Sequence, residues 1–236
     1  MQIIAHRGDS GAYPELTHIA FEQALLQGAP AVECDVRLSS DGAVVCVHDS
    51  SIARVSDGTG KVENLSYDEL CEFNFGTAQY PQPPLLFDDL LKLVTQYPDR
   101  HLYIETKHPS RYGKMVEEQV ANRLRYAGLL EDPRIHLISF SPLAIRNFER
   151  LAPQLDRILL REDTPSLTWR AAARWCQPMG IGISIDAARA NPADLQLAQR
   201  MYLWTVDDPA DMIWAREHGV DMMATNYPAL ALGTVS

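Results

Sequence analysis

A chain of 236 residues, 46% of them hydrophobic and 22% charged, can bury a large core, which excludes a disordered or fibrous protein. Its formal net charge of −10 disfavours the broad attraction to nucleic acid that a basic surface supplies, so no nucleic-acid partner is expected. An acidic protein acting on an anionic substrate must neutralise charge locally, through a metal ion or a few well placed cations.

The chain opens on Met1-Gln2-Ile3-Ile4-Ala5-His6, without the basic start and long apolar run of a secretory signal. No apolar stretch approaches the roughly eighteen residues of a membrane span, so the expectation is a cytoplasmic protein without stable membrane insertion. The first strand is read at residues 2–5. A helix follows, where Leu16, Ala20 and Ala24 repeat at four residues, Phe21 and Leu25 widen the apolar stripe, Pro14 suits the start and Gly28 the stop. The second strand spans 31–36. Residues 37–98 then separate it from the third strand by more than one helix needs and are read as an insertion. Within it 43–47 reads as a strand after the Asp41-Gly42 turn, and 80–84 as an extended connector. The third strand, 102–106, is followed by a helix with Val116, Val120 and Leu124 on one face, acidic residues early, Arg123 and Arg125 late, and an end near Gly128. Further strands are read at 135–139, 157–160, 181–185, 202–206 and 220–224. Eight short apolar strands with helical stretches between them predict one domain over 1–236, a closed (β/α)8 TIM barrel with a small insertion after the second strand. The four cysteines, Cys34, Cys46, Cys71 and Cys176, have no CxxC spacing and are expected to be reduced and mostly buried.

Barrels of this kind carry their catalytic groups at the C-terminal ends of the strands. His6-Arg7-Gly8 follows the first strand at that rim. Glu33 and Asp35 alternate with Val32, Cys34 and Val36, so a period of two sends both carboxylates to one face and the apolar residues to the helices. Glu105 and Lys107 do the same on the third strand. Carboxylates converging on a barrel mouth repel unless something positive lies between them, and hard oxygen ligands favour Mg2+, Ca2+ or Mn2+. Lys107 offers a point charge to a phosphoryl oxygen, and Arg7 a planar fork. His48-Asp49 follows the inserted strand as His6 follows the first, and two imidazoles flanking a P–O bond can act as base and acid. Each motif alone also fits a strand cap or a surface ion pair, but their joint occurrence at strand ends in this order suits one site. Trp204 is read either as an apolar wall for substrate or as a packed rim residue, and Thr225-Asn226-Tyr227-Pro228 as a cap and turn. His18, His101, His108, His136 and His218 are read in helical or connecting segments, without a partner at ligand spacing.

The motifs His6-Arg7-Gly8, Pro14-Glu15-Leu16-Thr17, Glu33-Cys34-Asp35-Val36, Asp41-Gly42, His48-Asp49, Thr59-Gly60, Glu105-Thr106-Lys107, Trp204-Thr205-Val206 and Thr225-Asn226-Tyr227-Pro228 together resemble those of the glycerophosphodiester phosphodiesterase family, over nearly the whole chain. The resemblance implies His6 and His48 as the acid/base pair, Glu33, Asp35 and Glu105 as ligands of one divalent cation, and Arg7 and Lys107 as phosphate contacts. It departs at Leu16, where the family usually has Asn. The expected reaction is hydrolysis of a small glycerophosphodiester to glycerol 3-phosphate and an alcohol. Two other readings compete with it: a lysophospholipase D-like activity at the same site, and a silent barrel that only binds phosphorylated ligands.

Overall fold

The computed structural model describes residues 1–163 and 168–235. Its strands are β1 (Gln2–His6), β2 (Ala31–Leu38), β3 (Val44–Cys46), β4 (His101–Thr106), β5 (Ile135–Ser139), β6 (Asp156–Leu160), β7 (Gly180–Ser184), β8 (Met201–Trp204) and β9 (Met222–Thr225). All except β3 run parallel and close into a barrel, with β9 and β2 both paired to β1 and β4 following β2. The predicted TIM barrel is thus the observed fold. Strand ends shift by one or two residues; Ile185, read as the end of a strand, instead starts α7 (Ile185–Ala190), capped by the Ser184 hydroxyl.

Alternation along the strands sorts residues between two cores. Val32, Cys34, Val36, Leu102 and Ile104 join the layer between barrel and helices, whereas Ile4, Ala31, Tyr103, Ile138, Ile158, Leu160, Tyr202, Met222 and Ala224 fill the barrel itself. The inner set is an apolar plug across the lower barrel, and the inward positions above it on β2 and β4 are Glu33, Asp35 and Glu105. Helix α1 (His18–Leu26) buries Ala20, Phe21, Ala24 and Leu25 after a Thr17 cap. Leu16 is not part of that helix. It sits in the left-handed region at φ +57 while its side chain is buried, a conformation that Asn tolerates better than Leu. Burial of the leucine offsets the backbone cost.

The predicted insertion is too long at both ends. Arg37 and Leu38 continue β2, and α3 (Phe87–Thr95) buries Phe87, Leu90, Leu91, Leu93 and Val94 against the barrel, so it is the helix between the second and third barrel strands. What lies between, residues 39–86, starts with β3, antiparallel to β2 with Val36 opposite Cys46. It goes on to a capping-box helix α2 (Tyr67–Leu70) and has its own small core of Val45, Val47, Ile52, Val62, Leu70 and Phe75. Helix α4 (Met115–Tyr126) has the predicted buried face. The remaining described α-helices are α5 (Pro142–Leu151), α6 (Trp169–Cys176), α8 (Pro209–Glu217) and α9 (Pro228–Val235), and no described helix is long and apolar enough to cross a membrane.

Two histidines differ from expectation. His101 and His136 lie on β4 and β5, at the end of the barrel away from the carboxylates. There His136 bridges His101 (2.8 Å) and Asp156 (3.0 Å) and stacks on Tyr103. Cys34, Cys46 and Cys176 are buried, Cys71 is exposed, and all four are free thiols.

Candidate active site

Strand register builds the site: His6 pairs with Glu33, and Asp35 with Glu105. One oxygen from each of the buried Glu33, Asp35 and Glu105 lies within 4.8 Å of the other two. Burial, compounded by the charge of Asp35, pushes Glu33 well above the usual carboxylate range and Glu105 to about 7. Asp35 goes the other way: burial would raise it, but Lys107 and Arg7, with smaller help from His48 and His6, hold it low. Lys107 Nζ is 3.3 Å from Asp35 Oδ1 and 2.6 Å from Glu105 Oε1. Arg7 Nε is 3.1 Å from Asp35 Oδ2 but off the line of a hydrogen bond. Glu33 Oε1 and Asp35 Oδ2 therefore remain buried acceptors without hydrogen bonds. Three carboxylates at single-ion spacing, two of which also carry an unsatisfied buried oxygen, fit a hard divalent cation.

The turn after β1 aims two residues at once. Arg7 and Gly8 both have positive φ, +60 and +81, and a Cβ on Gly8 would lie 2.6 Å from the Ala20 carbonyl carbon, so only glycine fits there. The turn lets the Arg7 backbone N–H donate to the Glu33 carbonyl (3.0 Å) and to Glu33 Oε2 (3.1 Å), while the Arg7 guanidinium reaches Glu15 Oε1 at 3.0 Å. His6 Nε2 stands 4.0 Å from Glu33 Oε2, and its Nδ1 is 2.8 Å from Asn226 Oδ1. Burial, aided by the Arg7 charge, lowers His6 to about 4.

His48 arrives from the insertion, directly after β3. Its Nδ1 lies 2.7 Å from Asp49 Oδ1, and Arg54 Nε donates to Asp49 Oδ2 at 2.5 Å. Arg54 also forks onto Glu15 at 2.7 and 2.8 Å. A continuous ionic chain, His48–Asp49–Arg54–Glu15–Arg7–Asp35, thus ties the insertion to the barrel rim. The Arg54 hydrogen bond holds Asp49 at about 2, and burial lowers His48. Trp204, at the end of β8, packs edge-on against Phe140 with ring centroids 5.5 Å apart, and Lys107 Nζ lies 5.8 Å from the Phe140 centroid.

The eight residues singled out in the sequence, His6, Arg7, Glu33, Asp35, His48, Glu105, Lys107 and Trp204, accordingly gather at one rim. The geometry also recruits residues that sequence reasoning passed over. Asn226, expected only to cap and turn, holds His6, and Asp207 holds Asn226: Asn226 Nδ2 donates to Asp207 Oδ2 at 2.7 Å, its backbone N–H to Oδ1 at 2.8 Å, and the Thr225 hydroxyl to Oδ1 at 3.0 Å. The signal available was position, since both residues follow adjacent barrel strands at the end where function concentrates. Arg54 has no such signal, because its pairing with Glu15 across 39 residues is purely tertiary; Glu15 stands in the Pro14-Glu15-Leu16-Thr17 motif, which by itself assigns it no partner.

Known proteins resemble this chain over nearly its whole length. The model of the Glycerophosphoryl diester phosphodiesterase family matches residues 6–230. A Mycobacterium tuberculosis protein named probable glycerophosphodiester phosphodiesterase 1 is 36% identical over 96% of this chain and 89% of its own length. A Bacillus altitudinis glycerophosphodiester phosphodiesterase is 30% identical over 98% of this chain and 96% of its own. Among solved structures, an Oleispira antarctica phosphodiesterase in complex with the product sn-glycerol-3-phosphate superposes with a TM-score of 0.88 at 24% identity. That match covers 100% of this chain and 96% of the other.

Proposed function

Because the chain belongs to the glycerophosphoryl diester phosphodiesterase family, we propose that it hydrolyses small glycerophosphodiesters to glycerol 3-phosphate and an alcohol, with barrel and insertion acting as one catalytic domain. The observation that carries the reading is the buried Glu33, Asp35 and Glu105 cluster with its two unsatisfied oxygens, flanked by Arg7, Lys107 and His6. These carboxylates would hold one divalent cation, Mg2+, Ca2+ or Mn2+, which when bound offsets the charge of the phosphoryl group. Beside that set, Arg7 and Lys107 would donate to phosphoryl oxygens, one as a fork and the other as a point charge. His6 and His48 share the proton transfers, one taking the proton of the attacking oxygen and the other protonating the leaving alkoxide. Trp204 and Phe140 give the mouth an apolar wall for substrate carbons.

The test is an assay of released glycerol 3-phosphate across several head groups, with and without chelator. Release that stops on chelation and returns with added cation is expected. Release unaffected by chelation would remove the metal from the reading, and failure with every glycerophosphodiester would remove the function. Turnover of lysophosphatidylcholine well above that of glycerophosphocholine would move the assignment to a lysophospholipase D.

A further inference from the structure

The two imidazoles are not held alike. His48 rests on a charged carboxylate, Asp49, whereas His6 rests on a neutral amide, Asn226, which alone could present either oxygen or nitrogen. What Asn226 presents is decided behind it. The carboxylate of Asp207 only accepts, and it takes the Asn226 backbone N–H, the Thr225 hydroxyl and the Asn226 side-chain NH2. The amide nitrogen is thereby committed to Asp207, and the amide oxygen must face His6 Nδ1.

We infer that Asp207 and Asn226 form a tautomer clamp, a pair of positioning residues that keep the proton of His6 on Nδ1 and its Nε2 lone pair toward the carboxylate site. The inference rests on the functional reading above only for its kinetic consequence. Ser10 shows why a clamp is needed. Its hydroxyl lies 2.7 Å from the His6 carbonyl oxygen and 2.8 Å from Asn226 Oδ1. If the amide were flipped, its NH2 would donate to Ser10 Oγ and to His6 Nδ1, while Ser10 kept its bond to the carbonyl. Every polar atom on the His6 side would still be satisfied. The flipped state is therefore a real competitor, excluded because it would turn the amide oxygen onto the Asp207 carboxylate. In that state His6 could only be protonated on Nε2, and it would have no lone pair with which to accept a proton from the substrate side. In Ser-His-Asp triads, exchanging carboxylate for amide likewise preserves geometry while leaving the imidazole in the wrong tautomer.

The deciding variant is Asp207→Asn. The new amide can keep its oxygen on the Asn226 backbone N–H and Thr225, which turns its NH2 toward Asn226 and makes the flipped Asn226 the favoured state. The tautomer is read from histidine 15N resonances of the full chain with saturating Mg2+ at mildly alkaline pH, with His6 assigned by its disappearance in His6→Ala. The wild type is expected to show a protonated Nδ1 and a bare Nε2, and Asp207→Asn the reverse. In the same samples, kcat for glycerol 3-phosphate release should fall roughly a hundredfold with KM within about twofold. Asn226→Ala, which removes the clamp without imposing the wrong tautomer, should give mixed tautomers and a smaller loss. A wild-type Nε2–H tautomer or an unchanged tautomer in Asp207→Asn would each overturn the clamp, and a switched tautomer with full kcat would overturn its kinetic consequence. A wild type inactive on all glycerophosphodiesters but switching tautomer as described would instead sink the functional reading and leave the clamp standing.

Discussion

The sharpest test of the carboxylate cluster is that its members should answer opposite in sign when made neutral. Glu105 is held at about 7 rather than 4.5, a balance that already includes its hydrogen bond to Lys107. Ionising it in the folded, metal-free protein is therefore unfavourable by roughly 3 kcal/mol. A carboxyl raised in the folded state contributes stability that is complete below pH 4.5 and is lost as the pH climbs through about 7. Glu105→Gln keeps an acceptor for Lys107 but removes the repelled charge. Above neutral pH, in chelator, it should stabilise the protein, by up to about 3 kcal/mol or about 6 to 12 °C in Tm for a chain of this length. Asp35→Asn should do the reverse, because Lys107 at 3.3 Å and Arg7 at 3.1 Å lose their shared buried counter-charge. Removing one partner of a buried ion pair costs about 3 to 5 kcal/mol. Thermal unfolding of both variants and the wild type, in chelator and in Mg2+, Ca2+ or Mn2+, provides the measurement. Added cation should raise the wild-type Tm, and raise that of either variant far less. If Glu105→Gln destabilised the chelated protein as much as Asp35→Asn does, the cluster would be a structural salt-bridge network and not a ligand set waiting for charge.

Other expectations follow from the same geometry. The Tm gain produced by a saturating cation should grow with pH across the window from 4.5 to about 7, because below it the cation must displace protons; a gain independent of pH would contradict the repulsion. His6→Ala and His48→Ala should each lower kcat by roughly a hundredfold or more with the fold intact by circular dichroism, and near-normal kcat in either would remove that residue from the chemistry. Arg54→Met cuts the ionic chain between Asp49 and Glu15 without altering either His48 or Asp49 themselves. It should lower kcat/KM about tenfold through loss of His48 placement, and unchanged kinetics would show that the insertion needs no such tie. Finally, the hydroxyl on the glycerol carbon next to the ester is a candidate internal nucleophile with a large entropic advantage over water. A substrate lacking that hydroxyl should bind through its phosphate yet turn over far more slowly, whereas equal kcat for the two substrates would leave direct attack by water.

Much of this was legible without coordinates. Glu33 and Asp35 had to share a face because a strand alternates with period two, and Val32, Cys34 and Val36 had to share the other, which is how they pack. Eight apolar segments of strand length with helical periodicity between them admit few closed solutions, and a parallel barrel puts every strand end on one rim. Local pattern thus determined the fold class and gathered the carboxylates, the two histidines and their cations at one place. Pattern could not place the end of the insertion, since nothing local says that the apolar residues of α3 meet the barrel. Nor could it reveal that Leu16 leaves the helical path, or that His101 and His136 join across neighbouring strands at the far end. The reach of Arg54 to Glu15, and of Asp207 through Asn226 to His6 220 residues earlier, depends on side-chain length and direction once distant strand ends are brought together. Such pairings leave no periodicity in the chain. Closure of the barrel, which sets β9 beside β1, decided that an asparagine near the C-terminus would govern the orientation of a histidine at residue 6.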